Sequence, residues 1–418
     1  MNLAVSKLLV IILVVLVGAC LLNILVDFLN LRHSQARLPA EFEGDYPAER
    51  YRTSQEYLRQ KTLLAMIQTI LFAALIVVFI LAGGFKLVDQ AARHFQAGPI
   101  VTGLIFVGLL AIPVFLLQLP FAVYETFVIE ERFGFNRTTV GTFVLDLLKS
   151  AALLSFLGAL LLVLVQWLFL RAGAWAWVYA WLGFFGLQLL LVFVTPVVIL
   201  PLFNKFVPLE SGELRQAIES YARARNFPIQ GVYVMDGSRR STKANALFTG
   251  LGRFRRIVLY DTLISRHSVP ELLSVLAHEI GHYQRRHILK FQLLSLAVSG
   301  LMFFILSLLI GSPALFQAFG LARPSVYAGI VFFGLLYTPI DLTVSIFSNW
   351  VSRSFEYEAD AFAVATAGNP ESMIAALKKL SADNLVNLTP HPLKVVCDYS
   401  HPPVLQRIAT IRRLFPMR

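Results

Sequence analysis

The sequence predicts a mainly α-helical, polytopic membrane protein. Its polar segments are expected to gather on one side into a domain containing a small β-sheet. Three observations carry this expectation. Of 418 residues, 57% are hydrophobic and only 15% are charged, whereas a soluble domain carries about a quarter charged residues. Seven apolar stretches are long enough to cross a bilayer as helices. The basic residues fall almost entirely into alternate connecting segments.

The seven stretches run near Leu8–Leu31, Leu63–Phe85, Ile100–Leu119, Ala151–Leu170, Trp175–Val198, Phe291–Gly311 and Val326–Trp350. The first begins like a signal peptide after Lys7, and Val17–Cys20 resembles a lipoprotein cleavage box. The apolar run continues to Leu31, too long for a signal core, so it reads as a retained span. The segments around 32–62, 120–150, 199–290 and 351–418 hold 31 of the 36 Lys and Arg residues. The positive-inside bias puts these segments, and the C-terminus, in the cytoplasm. The cations follow the membrane topology, so the net charge of +11 is not read as a nucleic-acid surface. Two cysteines, Cys20 in an apolar run and Cys397 in an expected C-terminal loop, support neither a disulfide framework nor a Cys-type metal site.

Four parts follow. Residues 1–198 hold spans one to five with their loops, and 199–290 form the first part of a polar domain. Residues 291–350 hold spans six and seven, and 351–418 form the second part of that domain. Within 199–290, Gly231–Met235 and Arg256–Tyr260 read as short strands, with Asn245–Gly250 as a third candidate. Ser268-Val269-Pro270-Glu271 fits a capping box with Pro in the first turn. It starts a helix through Leu273, Leu276 and Ala277 into the pentapeptide His278-Glu279-Ile280-Gly281-His282.

That pentapeptide carries the chemistry. Two His four residues apart share one helix face, so His278 and His282 can bind a single metal ion. Glu279 lies on the adjacent flank, where a general base for a metal-activated water is needed. The residues therefore point to metal-dependent peptide hydrolysis at or in a bilayer. A catalytic zinc site keeps three protein ligands and one open position. The best source of the third is the segment after span seven, where Glu356 and Asp360 share a helix face among Phe355, Ala359, Ala361 and Phe362. One of the two acids can ligate while the other orients a ligand His through its free ring nitrogen. His401, in the Pro-rich turn Ser400-His401-Pro402-Pro403, is a candidate donor to an oxyanion. His287 lies five residues beyond His282, and a continuous helix would point it away from the metal. Asp341 falls inside span seven, where an acid is a functional hypothesis by default.

These residues resemble the CAAX prenyl protease type I family, integral-membrane zinc metalloproteases of the gluzincin kind. The resemblance rests on His278–His282 and Ser354–Phe362. It extends to Tyr124–Asn136, Pro201–Phe206 and Tyr399–Pro403, so it runs from about residue 120 to the end. It implies one zinc ion per chain held by His278, His282 and Glu356, with Glu279 as base. Asp360 would stand behind a ligand and Arg407 would pair with it. Asn245 and Ala246 would belong to an edge strand that pairs with substrate. The implied fold is a barrel of seven tilted helices around a chamber. The implied partners are a peptide or protein substrate, with or without a prenyl group, and the lipid bilayer. Glu358 stands where many relatives carry Gln.

Two other readings remain open at this level. One is a membrane-protein quality-control protease with no prenyl requirement, which uses the same site. The other is a seven-span transporter or receptor with a structural zinc site, disfavoured because the spans hold few charges. The C-terminal Phe415–Arg418 carries no retention signal. This favours a prokaryotic cytoplasmic membrane, with the endoplasmic reticulum membrane as the eukaryotic counterpart.

Overall fold

A computed structural model describes residues 7–34, 37–227, 229–249, 256–367 and 369–416. Six helices are long and apolar enough to span a membrane: Lys7–His33, Ala48–Leu81, Gly98–Glu130, Val140–Arg171, Gly173–Phe203 and His287–Ile310. The seventh expected span is a broken one. Val326–Leu336 and Thr338–Ala367 meet at a 56° bend. Pro339 follows the break and removes a backbone donor from its first turn, which is enough to bend the span there. Asp341 lies just after the bend and is exposed on the helix surface.

In none of the six continuous spans is more than 17% of the apolar window buried. Most of the surface of each span is therefore left uncovered by neighbouring helices. A single-walled barrel requires this, whereas a filled bundle would bury an inward stripe on every helix. Span two is 34 residues long, about 50 Å at helical rise, so its first turns stand clear of a bilayer core of about 30 Å.

The polar domain is built around one core. Ile218, Leu259, Leu272, Leu276, Ile280, Met373, Leu377 and Ile408 meet there, joined by Phe42, Tyr46 and Tyr51 from the segment between spans one and two. Its sheet has four strands: β1 (Phe206–Pro208), β2 (Gly231–Met235), β3 (Ala246–Thr249) and β4 (Arg256–Tyr260), in the order β1-β2-β4-β3. β2 and β4 are parallel, and the other pairs are antiparallel. Two of the strands match the expected ranges, and β3 lies within the third. Gly250 falls outside the described residues, as do Met417 and Arg418. Strand β1 carried no alternating pattern and is recognisable only by its pairing with β2.

Three ties fix this domain to the spans. Lys243 Nζ reaches the Glu130 carboxylate at 2.8 Å, and Tyr57 donates to the same group at 2.5 Å. Arg240 grips Asp146 in span four with two hydrogen bonds, at 2.7 and 3.0 Å. Lys394 holds Asp27 of span one at 2.5 Å. Both cysteines are free. Cys397 is buried within the short helix Pro392–Asp398 rather than in a loop.

Candidate metal centre

The helix that carries the two His, Val269–Gln284, starts as its sequence prescribes. Glu271 accepts from the Ser268 backbone N–H at 2.9 Å, completing the capping box. The same carboxylate holds Lys379 at 2.7 Å. Leu272, Leu276 and Ile280 turn into the core, so the opposite flank presents His278 and His282. Gly281 sets how closely the next layer approaches. A Cβ there would stand 3.2 Å from the Ala359 backbone and 3.1 Å from Phe362. A bare glycine thus lets the helix Thr338–Ala367 lie against the motif helix.

That approach brings the three expected ligands together. The His278 and His282 Nε2 atoms are 3.1 Å apart. Glu356 Oε2 is 3.4 Å from His278 Nε2, and Oε1 is 3.3 Å from His282 Nε2. Ligand atoms about 2.1 Å from a tetrahedral ion stand about 3.4 Å from one another. The three side chains therefore trace one face of such a coordination shell. Glu356 Oε2 is buried with no hydrogen-bond partner, a costly state for a carboxylate oxygen unless a cation completes it. The residues fit a divalent metal ion.

Behind this face lies a charged layer. Asp360 Oδ1 meets His278 Nδ1 at 2.8 Å, which fixes the ring so that Nε2 faces the site. Arg407 closes on Asp360 with two bonds, at 2.6 and 2.8 Å. Its side chain is 12% exposed, so it is an interior ion-pair partner and not a surface arginine. Arg407 also lies 3.6 Å from Glu356 Oε2. Two buried carboxylates thus face one guanidinium, leaving a negative charge for a cation to balance.

In the metal-free chain that cation is a protonated His278. Burial opposes its charge, but the Asp360 and Glu356 carboxylates outweigh burial and push its pKa up to about 9. A raised imidazole pKa stabilises the fold below its unfolded value of 6.5, and that contribution disappears as pH rises through about 9. Metal uptake must displace the Nε2 proton, so affinity is expected to rise up to tenfold per pH unit until about pH 9. Metal titrations across that range, read against the wild-type stoichiometry, would check the slope. A flat profile would refute it.

His287 departs from the expectation that it points away. The motif helix ends at Gln284, Arg286 takes a left-handed conformation with φ 57°, and a new helix starts at His287. This break places His287 Nδ1 3.0 Å from His282 Nδ1. Its Nε2 lies 3.2 Å from Glu358, and its ring stacks on Phe355 at 4.1 Å. When His282 offers Nε2 to a metal, its Nδ1–H can donate to His287, which can in turn donate to Glu358. The Glu at position 358 therefore has a partner. The continuous-helix assumption concealed this arrangement, and the positive φ at Arg286 carries no sequence signal. Replacing His287 with Ala is expected to weaken metal binding about 10- to 100-fold, measured by competition with a chromophoric chelator. An unchanged affinity would overturn the assignment.

Glu279 is half-buried on the flank beside the ligands, and its charge acts on Arg407. His401 Nε2 stands 3.3 Å from Glu356 Oε1, with a side chain 65% exposed. Ser400 Oγ lies 2.9 Å from its Nδ1. Arg353 pins the end of the helix Pro392–Asp398 and the turn after it by donating to the Val395 and Tyr399 carbonyls at 2.9 and 2.7 Å. Asn245 and Ala246 sit at the start of edge strand β3. Asn384 brackets Ala244 from both sides at 3.0 Å, and Asn245 Oδ1 accepts from Ala246 N–H at 2.9 Å. Among the described residues, neither Asn245 nor Ala246 makes a hydrogen bond or ion pair with the ligand set.

Residues 27–205 match the family described as CAAX prenyl protease N-terminal, five membrane helices. Residues 208–414 match peptidase family M48. CAAX prenyl protease 1 of Saccharomyces cerevisiae is 32% identical over 404 residues, covering 90% of this chain and 89% of that protein. The CAAX prenyl protease 1 homolog of Arabidopsis thaliana is 38% identical over 295 residues, covering 70% and 69%. The crystal structure of S. mikatae Ste24p aligns with a TM-score of 0.92 at 31% identity, covering 97% of this chain and 99% of that one.

Proposed function

From the premise that this chain belongs to peptidase family M48, with the CAAX prenyl proteases, we propose that it is a zinc-dependent endopeptidase that cleaves near the C-terminus of CAAX-type peptides. It is an integral multi-pass membrane protein and a metallopeptidase. The observation that carries the finer reading is the convergence of one donor atom each from His278, His282 and Glu356 to within 4.8 Å of one another, with Glu356 Oε2 buried and without a hydrogen-bond partner.

His278, His282 and Glu356 would hold the ion. When bound, zinc supplies a Lewis acid that acidifies water and polarises a carbonyl. The remaining work belongs to the chain. A carboxylate oxygen of Glu279 accepts the proton of the attacking water and returns it to the leaving amine. His401 donates from Nε2 to the oxygen that gains charge, while Ser400 holds the other ring nitrogen. Asp360 and Arg407 keep the His278 ring from turning. The free edge of β3, from Asn245 and Ala246 onward, holds the peptide extended by backbone pairing.

The parts are 1–198, 199–290, 291–350 and 351–418, with the second and fourth forming one protease domain on the cytoplasmic side. Relatives in plants, yeasts and animals favour an endoplasmic reticulum membrane over the prokaryotic one expected from sequence alone. The quality-control alternative differs only in substrate. Cleavage of matched peptides with and without a farnesyl group distinguishes the two. A rate at least about tenfold higher for the farnesylated peptide is expected, because burying its apolar chain adds binding energy. Equal rates would favour the alternative.

A further inference from the structure

We propose that the cleft between the protease-side ends of spans one and two binds an anionic phospholipid. The cleft has a volume of about 670 Å³. Its upper wall carries Arg32, Arg52 and Arg59, and its floor carries Phe28, Leu63 and Met66.

The order of residues along span two carries the argument. Arg52, Glu56, Arg59, Leu63 and Met66 fall at helical spacing on one face. That face changes from cationic to apolar between Arg59 and Leu63, one turn apart. Leu63 also opens the apolar run that enters the bilayer. Phe28 and Leu63 are 45% and 42% exposed, so the floor is continuous with the surface that lipid chains cover. Arg32, in the last turn of span one, holds its guanidinium 5.6 Å from the centre of the Phe28 ring. The cleft thus offers acyl chains an apolar floor directly beneath a cationic wall.

The charge in the cleft is not neutralised by the protein. Several basic residues of this side are neutralised within the chain: Arg50 pairs with Asp383, Lys61 with Glu125, Arg240 with Asp146 and Lys394 with Asp27. In the cleft, Glu56 lies 3.9 Å from Arg59, both well exposed, a separation that contributes little. Among the described residues, Arg32 and Arg52 have no acidic partner. Three cations and one carboxylate leave the cleft with a net charge of +2. A lipid phosphate supplies the missing anion, and guanidinium forks match its oxygens. A free phosphate would leave the apolar floor uncovered, so the occupant is the lipid.

The test uses the full chain in phosphatidylcholine nanodiscs, titrated with NBD-labelled phosphatidylglycerol. The wild type is expected to bind this probe more tightly than NBD-labelled phosphatidylcholine, with no competition from inorganic phosphate. The triple variant R32Q/R52Q/R59Q should weaken it about a hundredfold, at roughly fivefold per basic side chain. R52Q alone changes one exposed residue and should weaken it about fivefold, which decides the matter if the triple variant does not fold. Affinity within twofold of wild type in R52Q, equal binding of the two lipids, or displacement by inorganic phosphate would each overturn the proposal.

Discussion

Glu279→Gln is expected to lower peptide hydrolysis by at least about a hundredfold while leaving one zinc ion per chain. The amide keeps the size and polarity of the carboxylate but cannot take a proton from water, and a positioned general base contributes up to about 10⁴-fold. Glu279 lies outside the proposed ligand set of His278, His282 and Glu356, whose donor atoms gather within 4.8 Å of one another. Metal content and melting temperature should therefore stay at wild-type values. Single-turnover cleavage of a farnesylated CAAX peptide, run beside a metal assay on the same preparation, gives both readings. Cleavage within tenfold of wild type with zinc retained would remove Glu279 from the role of base.

Glu356→Ala should have the complementary outcome, with both metal and activity lost. A bound zinc ion contributes about 10–16 kcal/mol spread over its ligands, so one ligand is worth about 3 kcal/mol, or a hundredfold or more in affinity. The substitution also leaves the fixed His278–Asp360–Arg407 layer in place, because Arg407 grips Asp360 independently through two bonds. Asp360→Asn is the matched control. It loosens the orientation of His278 but removes no ligand, so its loss of metal should be smaller, about 10- to 100-fold. Equilibrium dialysis against buffered zinc ranks the two. A stoichiometric metal in Glu356→Ala, or a larger loss in Asp360→Asn, would exchange the roles of the two acids.

The contrast between Glu356 and Asp360 shows where sequence reasoning stops. Both acids lie on one face of one helix, and their spacing cannot tell which meets the two His. The packing of Gly281 on Ala359 sets the offset between the helices. At that offset Glu356 falls level with the His278 and His282 Nε2 atoms, and Asp360 falls behind His278. His287 shows the same limit more sharply. Helical periodicity carries it away from the metal, and a single left-handed residue, Arg286, brings it back against His282. The break before Pro339 likewise divides what reads as one apolar run.

The sequence by itself determined what depends on short stretches of chain. Apolar length set the spans, Ser268 and Glu271 set the start of the motif helix, and the spacing of His278 and His282 put two donors on one face. Strands β2 and β4 were legible from their β-branched residues. Tertiary structure alone decided which acid lies against both Nε2 atoms, what stands behind each His, and how the Lys243–Glu130 and Arg353–Tyr399 ties hold β3 and His401 in place. Periodicity is a property of neighbours along the chain and survives in any fold that keeps the helix. Convergence across helices depends on side-chain volumes at crossing points, where one missing Cβ shifts a whole helix.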